Sequence, residues 1–295
     1  MTNTYTLQNS LDPLLHQALS NVVAAANSIQ LDYFIAGATA RDIVLHGIFG
    51  YAPSRATRDI DTAIFIRSWD EFTHVRQALI EKGMCETAHA HRFLEPETGL
   101  PLDIIPFGDI ADSDGSIQWP PDYAVTMSVI GFDEAYSAAL WVTDGDLQFK
   151  VASLAGIALL KLIAWDEKGQ ERNKDATDFY TILDRYQMIH QDRLWDEYVP
   201  SEQYGYDISL CCSFLLGFDI KAMLSDSAKD VLLQIRADKH DQFISVIART
   251  NSGVDIAQLE SQLVSALESA SVFSEISSSH LKSITDLTQQ QRTLG

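Results

Sequence analysis

Apolar residues in the first half of the chain follow two periods in turn, one helical and one strand-like. Between residues 11 and 30 they recur every three or four positions, which predicts an amphipathic helix. Further on, short apolar runs bounded by glycine, proline or charged residues predict strands, and longer runs with helical spacing predict helices. The predicted order continues as strand 32–36, helix 38–48, loop 49–57, strand 58–66 and helix 69–82.

A hairpin and three short strands complete the pattern of the first half. Residues 85–94 alternate as a strand does, residues 95–99 are typical of a turn, and residues 100–107 predict the return strand. Further short strands are predicted at 125–131, 137–142 and 147–151. Strands interleaved with helices predict an α/β (α+β) domain, in which helices flank a mixed sheet.

The pattern changes near residue 152, after which almost all apolar residues follow helical spacing. Residues 152–165 predict the first helix of this second half, and five more helical segments follow in the chain before residue 270. We therefore predict two domains, with the α/β domain over residues 1–150 and a mainly helical domain over residues 151–295.

Charge and composition narrow the function. The chain has 295 residues and a formal net charge of −20, which argues against non-specific nucleic-acid binding because such binding relies on lysine and arginine. A local RNA site stays open, since Arg41, Arg55, Arg58 and Arg67 cluster in sequence, although they can equally balance neighbouring acids. No apolar stretch is long enough to span a bilayer and no secretory signal is visible. With three cysteines in no metal-ligand spacing, we expect a cytoplasmic protein with no membrane partner.

Two aspartates in the strand 58–66 are the strongest sign of chemistry. Asp59 and Asp61 are two residues apart, so on a strand their side chains point to the same face. Two such carboxylates repel each other unless a cation lies between them, and oxygen ligands suit Mg²⁺ together with substrate phosphates. The pair can also be a solvated strand face. The glycine turn at Gly37, between a strand and a helix, favours the functional interpretation because such turns bind anions.

Four other charged residues lie in apolar surroundings. Asp103, the only charge in strand 100–107, is either an edge aspartate facing water or a third carboxylate of the same site. Lys161 shares a helix face with apolar residues, where it either extends to solvent or points into the site. Asp175 suits the first turn of the following helix, whereas Asp178, on the apolar side of that helix, requires a cationic partner.

Two motifs carry a resemblance to a known family. Gly37-Ala38-Thr39-Ala40-Arg41-Asp42, followed by Thr57-Arg58-Asp59-Ile60-Asp61, resembles the DNA polymerase β-like nucleotidyltransferase superfamily. Within it, the chain looks most like the bacterial predicted nucleotidyltransferases of the AbiEii-type toxin group. It departs from the pattern at Ala38, where the family carries a second glycine or a serine.

The resemblance implies a fold, a reaction and a set of site residues. The fold is the nucleotidyltransferase mixed sheet, and the reaction moves a nucleoside monophosphate from an NTP to a hydroxyl acceptor with release of pyrophosphate. Mg²⁺ and catalysis are implied at Asp59, Asp61 and Asp103. Contacts to the nucleotide are implied at Gly37, Ala38, Thr39, Arg41, Lys161, Asp175 and Asp178.

The acceptor and the biological role stay open at this point. If the chain is toxin-like, the acceptor is tRNA or another RNA, and a cognate antitoxin is implied as a partner. Alternatively the acceptor is a small molecule, and the acidic composition then favours a cationic one. Nucleotidylation of a protein is a further alternative. A different class of function, a non-catalytic nucleotide-binding or regulatory module, is favoured by Ala38 and disfavoured by the three aspartates.

Overall fold

A central sheet of eight strands organises the first half of the molecule. We describe it from a computed structural model of residues 4–52, 59–168 and 173–271. The strands in chain order are β1 Thr4–Thr6, β2 Tyr33–Ala36, β3 Ile60–Phe65, β4 Cys85–Glu86, β5 Arg92–Leu94, β6 Pro101–Phe107, β9 Leu140–Asp144 and β10 Leu147–Val151, and a separate hairpin pairs β7 Ser116–Trp119 with β8 Val125–Ser128.

The sheet is mixed, as predicted. Its spatial order is β1-β9-β10-β2-β3-β6-β5-β4. Strand β3 lies near the middle, antiparallel to β2 and parallel to β6. Its residues Ile60, Ala63 and Ile64 are fully buried, so that unpaired charge beside them is costly.

Helices cover the sheet and make up the second half. In the first half these are α1 Pro13–Ser28, α2 Gly37–Asp42, which continues as a wider helical turn to Ile48, α3 Trp69–Glu81 and α4 Phe132–Ser137. In the second half they are α5 Leu154–Lys168, α6 Asn173–Ile189, α7 Ile208–Lys221, α8 Asp226–Gln234, α9 His240–Thr250 and α10 Ile256–Ser271. Of the described helices, none is long and apolar enough to cross a membrane.

Each sheet face is buried by different helices. Helices α1 and α3 pack on the face that carries Tyr33, Thr62 and Ile104. On the opposite face, Phe34 and Phe107 pack against Phe132 and Tyr136 of α4, with ring centroids 5.8–6.3 Å apart. This apolar cover stops short of the strand ends next to Phe34, which leaves one corner of the sheet open to a cleft.

The helical half has its own apolar contacts. Trp165 of α5 and Phe179 of α6 both pack edge-on against Phe243 of α9, at centroid distances of 4.5 and 5.5 Å. Helices α7 and α10 lie so close that a Cβ at Gly217 would stand 2.0 Å from the carbonyl oxygen of Ala266. The predicted α/β fold class with a helical C-terminal part is therefore confirmed, while the domain boundary at residue 150 stays a prediction.

Several predicted elements differ from the structure. The single strand 85–94 is two short strands, β4 and β5, separated by a turn. The strand 125–131 ends at Ser128, and the strand 137–142 begins only at Leu140 because α4 occupies residues 132–137. In that segment Gly131, with a φ of 87°, starts a helix whose two aromatic rings complete the core, so tertiary packing outweighs the local pattern.

Candidate active site

The three predicted aspartates meet at the open corner of the sheet. In the β3–β6 register Asp61 lies directly beside Asp103, and in the β2–β3 register it lies opposite Ala36. Asp59 comes just before β3 rather than within it. Two carboxylates are thus held on one sheet face by backbone pairing, with a third next to them along the chain.

The glycine turn is built against Asp61. Gly37 begins α2 with a φ of 65°, a conformation that glycine adopts without strain. A Cβ at this position would stand 1.9 Å from Asp61 Oδ2. The turn and the aspartate are therefore in contact, and no residue with a side chain fits between them.

Ala38 and Thr39, the other predicted turn residues, face inward. Both are buried, and the Thr39 hydroxyl donates a hydrogen bond of 2.6 Å to the backbone carbonyl oxygen of Asp59. This bond ties the start of α2 to the start of β3. Thr39 thus holds the aspartate motif in place, and a direct contact with a phosphate stays a prediction.

The surroundings of Asp61 disfavour the ionised form of its carboxyl group. Burial, together with the neighbouring Asp59 and Asp103 carboxylates, raises the pKa of Asp61 to about 6, although Lys161 and Lys174 act in the opposite direction. Across the described part of the chain, no donor makes a hydrogen bond to this carboxylate. A carboxylate in this position gains most from a bound cation.

Asp103 has a partner that the sequence analysis did not identify. Arg92 of β5 is the cross-strand neighbour of Asp103 and donates two hydrogen bonds, from Nε to Oδ1 at 2.6 Å and from Nη2 to Oδ2 at 2.5 Å. This bond and the negative charge of Asp103 raise the pKa of the Arg92 guanidinium. The hairpin was predicted without a register, and the structure supplies the pairing of residue 92 with residue 103.

A buried ion network lies behind the carboxylates. Lys161 of α5 donates to Asp175 Oδ1 at 2.8 Å and lies 3.0 Å from Asp178 Oδ2. Burial alone would lower the pKa of Lys161, but Asp178 and Asp175 outweigh it and the pKa is raised. Lys161 therefore stays charged, and it approaches Asp61 closely enough to lower the pKa of that residue.

Arg41 joins the same network from α2. It is 1% exposed, pairs with Asp178 at 2.5 Å and with Asp42 at 2.8 Å, and so links the glycine-turn helix to α6. Lys161 and Asp175 line the cleft, whereas Arg41 and Asp178 lie in the core beneath it.

The predicted basic cluster is divided by the fold. Arg41 is buried, and Arg67 is exposed, with Glu71 as its partner. Arg55 and Arg58 lie outside the described residues.

The cleft itself is open, and its volume is about 950 Å³. Its wall combines two kinds of residue. Gly37, Asp61, Asp103, Lys161 and Asp175 belong to the glycine turn and the charged cluster, and His89, His91 and the β7–β8 hairpin add rings and apolar side chains.

The donor set fits a divalent cation in its chemistry. Asp59 and Asp61 supply hard oxygen ligands, and the raised pKa of Asp61 reflects charge that a cation would offset. In the ranges that the structure describes, however, no three histidine, cysteine, aspartate or glutamate side chains are grouped as ligands. Both oxygens of Asp103 are held by Arg92, so a site of all three aspartates stays a prediction.

Comparisons with known proteins give distant matches only. No protein-family model matches this chain, and no curated protein matches it in sequence. One similar solved structure is an antigenic nucleotidyltransferase-like protein from Paracoccidioides brasiliensis, with 16% identity and a TM-score of 0.39, over 60% of this chain and 78% of that chain.

Two further similar structures are of the antibiotic-resistance factor ANT(2″)-Ia. Its solution structure has 15% identity and a TM-score of 0.34, over 62% of this chain and 98% of that chain. Its crystal structure in complex with adenylyl-2″-tobramycin has 18% identity and a TM-score of 0.36, over 61% and 90% of the two chains. The function is therefore argued from the site, and the finer resemblance to the AbiEii-type group stays a prediction.

Proposed function

We propose that this chain is a Mg²⁺-dependent nucleotidyltransferase, which moves a nucleoside monophosphate from an NTP to a hydroxyl acceptor and releases pyrophosphate. The observation that carries the proposal is the packing of Gly37 on Asp61, with Asp103 in register beside it. The glycine turn, the aspartate pair and the third carboxylate come from three separate strands. Their meeting at one open corner is what the reaction requires.

Each residue has a role that follows from its position. Asp59 and Asp61 would hold the cation, which when bound stabilises negative charge on the phosphoryl oxygens. Lys161, kept charged by Asp175 and Asp178, neutralises phosphate charge at the side of the cleft. Gly37 leaves room for the phosphates because it has no side chain.

In this proposal Asp103 receives the acceptor proton. The acceptor oxygen forms a bond to the α-phosphorus, the bond to the bridging oxygen of pyrophosphate breaks, and the hydroxyl proton passes to Asp103. Arg92 orients this carboxylate through its two hydrogen bonds. A general base has to lie within hydrogen-bond reach of the proton that it takes, and the cleft gives the acceptor that access.

The cleft also bears on the choice of acceptor. Its lining includes four carboxylates, those of Asp61, Asp103, Glu167 and Asp175, against the single cation of Lys161 among the described lining residues. This balance favours a neutral or cationic small molecule over RNA. A toxin role with an antitoxin partner remains an alternative hypothesis that rests on the family resemblance.

A labelling experiment tests the function. The wild type and Asp59→Asn/Asp61→Asn are each incubated with Mg²⁺, cell extract and one α-³²P-labelled NTP at a time. We expect a labelled product with the wild type only, and its size and chemistry identify the acceptor class. A folded wild type that binds an NTP but labels nothing would favour the non-catalytic nucleotide-binding module instead.

Gly37→Ala tests the contact between the turn and Asp61. The new Cβ meets Asp61 Oδ2 and the residue keeps an unfavourable φ, which costs about 1–2 kcal/mol in backbone strain alone. We expect transfer to fall by about 100-fold because the carboxylate is displaced. The measurements are the transfer rate and the melting temperature.

Gly99→Ala is the matched control for backbone strain. Gly99 has a φ of 68°, but its added Cβ would meet nothing within 4 Å. This variant should lose similar stability and keep its transfer rate. Equal activity losses in both variants would show that the Gly37 contact has no special role.

A further inference from the structure

A row of aromatic rings forms one part of the wall of the cleft that Lys161 also lines. The Trp119 ring packs against Trp69 and Phe72, at centroid distances of 5.1 and 5.4 Å. His91 lies 5.5 Å from Trp119, and His89 lies 5.8 Å from His91 with the two rings 29° apart. The row thus runs from the core outward and ends at a histidine on the surface.

The outer end of the row is accessible from the cleft. His89 is exposed, and His91 and Trp119 are half-buried with part of their surfaces in the cleft. Within the described ranges, these histidines have no third ligand grouped with them for a metal. Their neighbours in the wall, Pro120, Pro121 and Val125, are apolar. A wall of this composition suits a planar, largely uncharged ring.

The position of the row relative to the carboxylates is set by the sheet. His91 directly precedes Arg92, which pairs across strands with Asp103, which in turn lies beside Asp61. The rings are therefore about two strand spacings, or roughly 10 Å, from Asp61 along the sheet. A phosphate held near Asp61 and a ring held near His91 can belong to one nucleotide or to two substrates in contact.

We propose that His89, His91 and Trp119 form a stacking surface for a nucleobase, an inference that rests on the proposed function and extends it. The base belongs either to the donor NTP or to a nucleotide at the acceptor. Stacking on aromatic rings tolerates every base, because each base presents a π-face. The surface therefore contributes affinity without selecting one NTP.

Binding measurements separate the base from the phosphates. Calorimetry in Mg²⁺ compares inorganic tripolyphosphate with the tightest-binding of the four α,β-methylene nucleoside triphosphates, which bind without turnover. In His89→Ala and His91→Ala we expect nucleotide affinity to fall by about 10- to 100-fold. Tripolyphosphate affinity should stay unchanged in both variants. Trp119 is left intact because it packs against the core.

A third ligand distinguishes the two sources of the base. A trinucleotide without a triphosphate probes the acceptor side, so a loss confined to the trinucleotide assigns the surface to the acceptor. His74→Ala is the matched control, because His74 is exposed on α3, away from the cleft. It should leave all three affinities unchanged.

The outcomes separate this inference from the proposed function. Unchanged affinity for the nucleotide and the trinucleotide in both variants overturns the stacking surface, as does an equal loss of tripolyphosphate affinity. If His91→Ala does not fold, the exposed His89→Ala decides alone. A wild type that binds neither tripolyphosphate nor any nucleotide contradicts the proposed function itself.

Discussion

Asp61→Asn should abolish nucleotide transfer and at the same time make the protein more stable. Transfer is lost because Asp61 holds the cation, and a bound cation stabilises the charge of the transition state by several kcal/mol. We therefore expect a rate decrease on the order of 10³-fold or more. The gain follows because the substitution removes a carboxylate whose charge is opposed by burial, Asp59 and Asp103. The measurements are label transfer and thermal unfolding of the same preparations.

The stability gain depends on pH in a defined direction. An aspartate has a pKa near 3.9 in the unfolded chain, whereas that of Asp61 in the folded chain is about 6. The folded state holds this proton more tightly, so the wild type loses stability as pH rises from about 4 to about 6. Without divalent ions, Asp61→Asn should match the wild type near pH 4. Above pH 6 it should exceed the wild type by about 1–3 kcal/mol, or about 2–6 °C in melting temperature.

A matched control isolates the position from the charge. Asp70→Asn makes the same chemical change on the exposed first turn of α3. It should keep full transfer activity and gain no stability above pH 6. If Asp61→Asn transfers at the wild-type rate, Asp61 is not part of the site and the proposed function is wrong.

The site residues that lie close together along the chain could be predicted from the sequence. Gly37 directly follows β2 and Asp61 lies in the neighbouring strand β3, with one helix between them in the chain. The strand alternation and the glycine both have local signatures. The placement of Asp103 beside Asp61 needed one further step, the pairing of β6 with β3. That step came from the family resemblance and not from periodicity.

Partners that are distant in sequence could not be predicted in the same way. Arg41 pairs with Asp178, which is 137 residues away, and no local pattern encodes which cation a buried carboxylate meets. The sequence therefore placed Arg41 among the nucleotide contacts, whereas the structure buries it beneath the cleft. Its direct contact with a nucleotide stays a prediction, while its structural role rests on two ion pairs.

Arg41→Met should be the most destabilising single substitution that we propose. It keeps much of the volume of the side chain and removes the cation that joins Asp178 to α2. Asp178 retains Lys161, but the buried network is left one positive charge short. Removing one partner from such a network costs about 3–5 kcal/mol. Chemical denaturation of the full chain measures the loss.

Two companion variants show whether charge is the cause. In Arg41→Met/Asp178→Asn the negative charge is removed as well, so the double variant should recover part of the lost stability. Arg67→Met removes an exposed arginine whose pair with Glu71 is worth at most about 1 kcal/mol, and it should unfold like the wild type.

Arg41→Met should also weaken tripolyphosphate binding. Because Lys161 shares Asp178 with Arg41, removing Arg41 should draw Lys161 toward Asp178. If the free energy of unfolding of Arg41→Met lies within about 1 kcal/mol of the wild-type value, this ion network is not what holds the glycine-turn helix against the helical half.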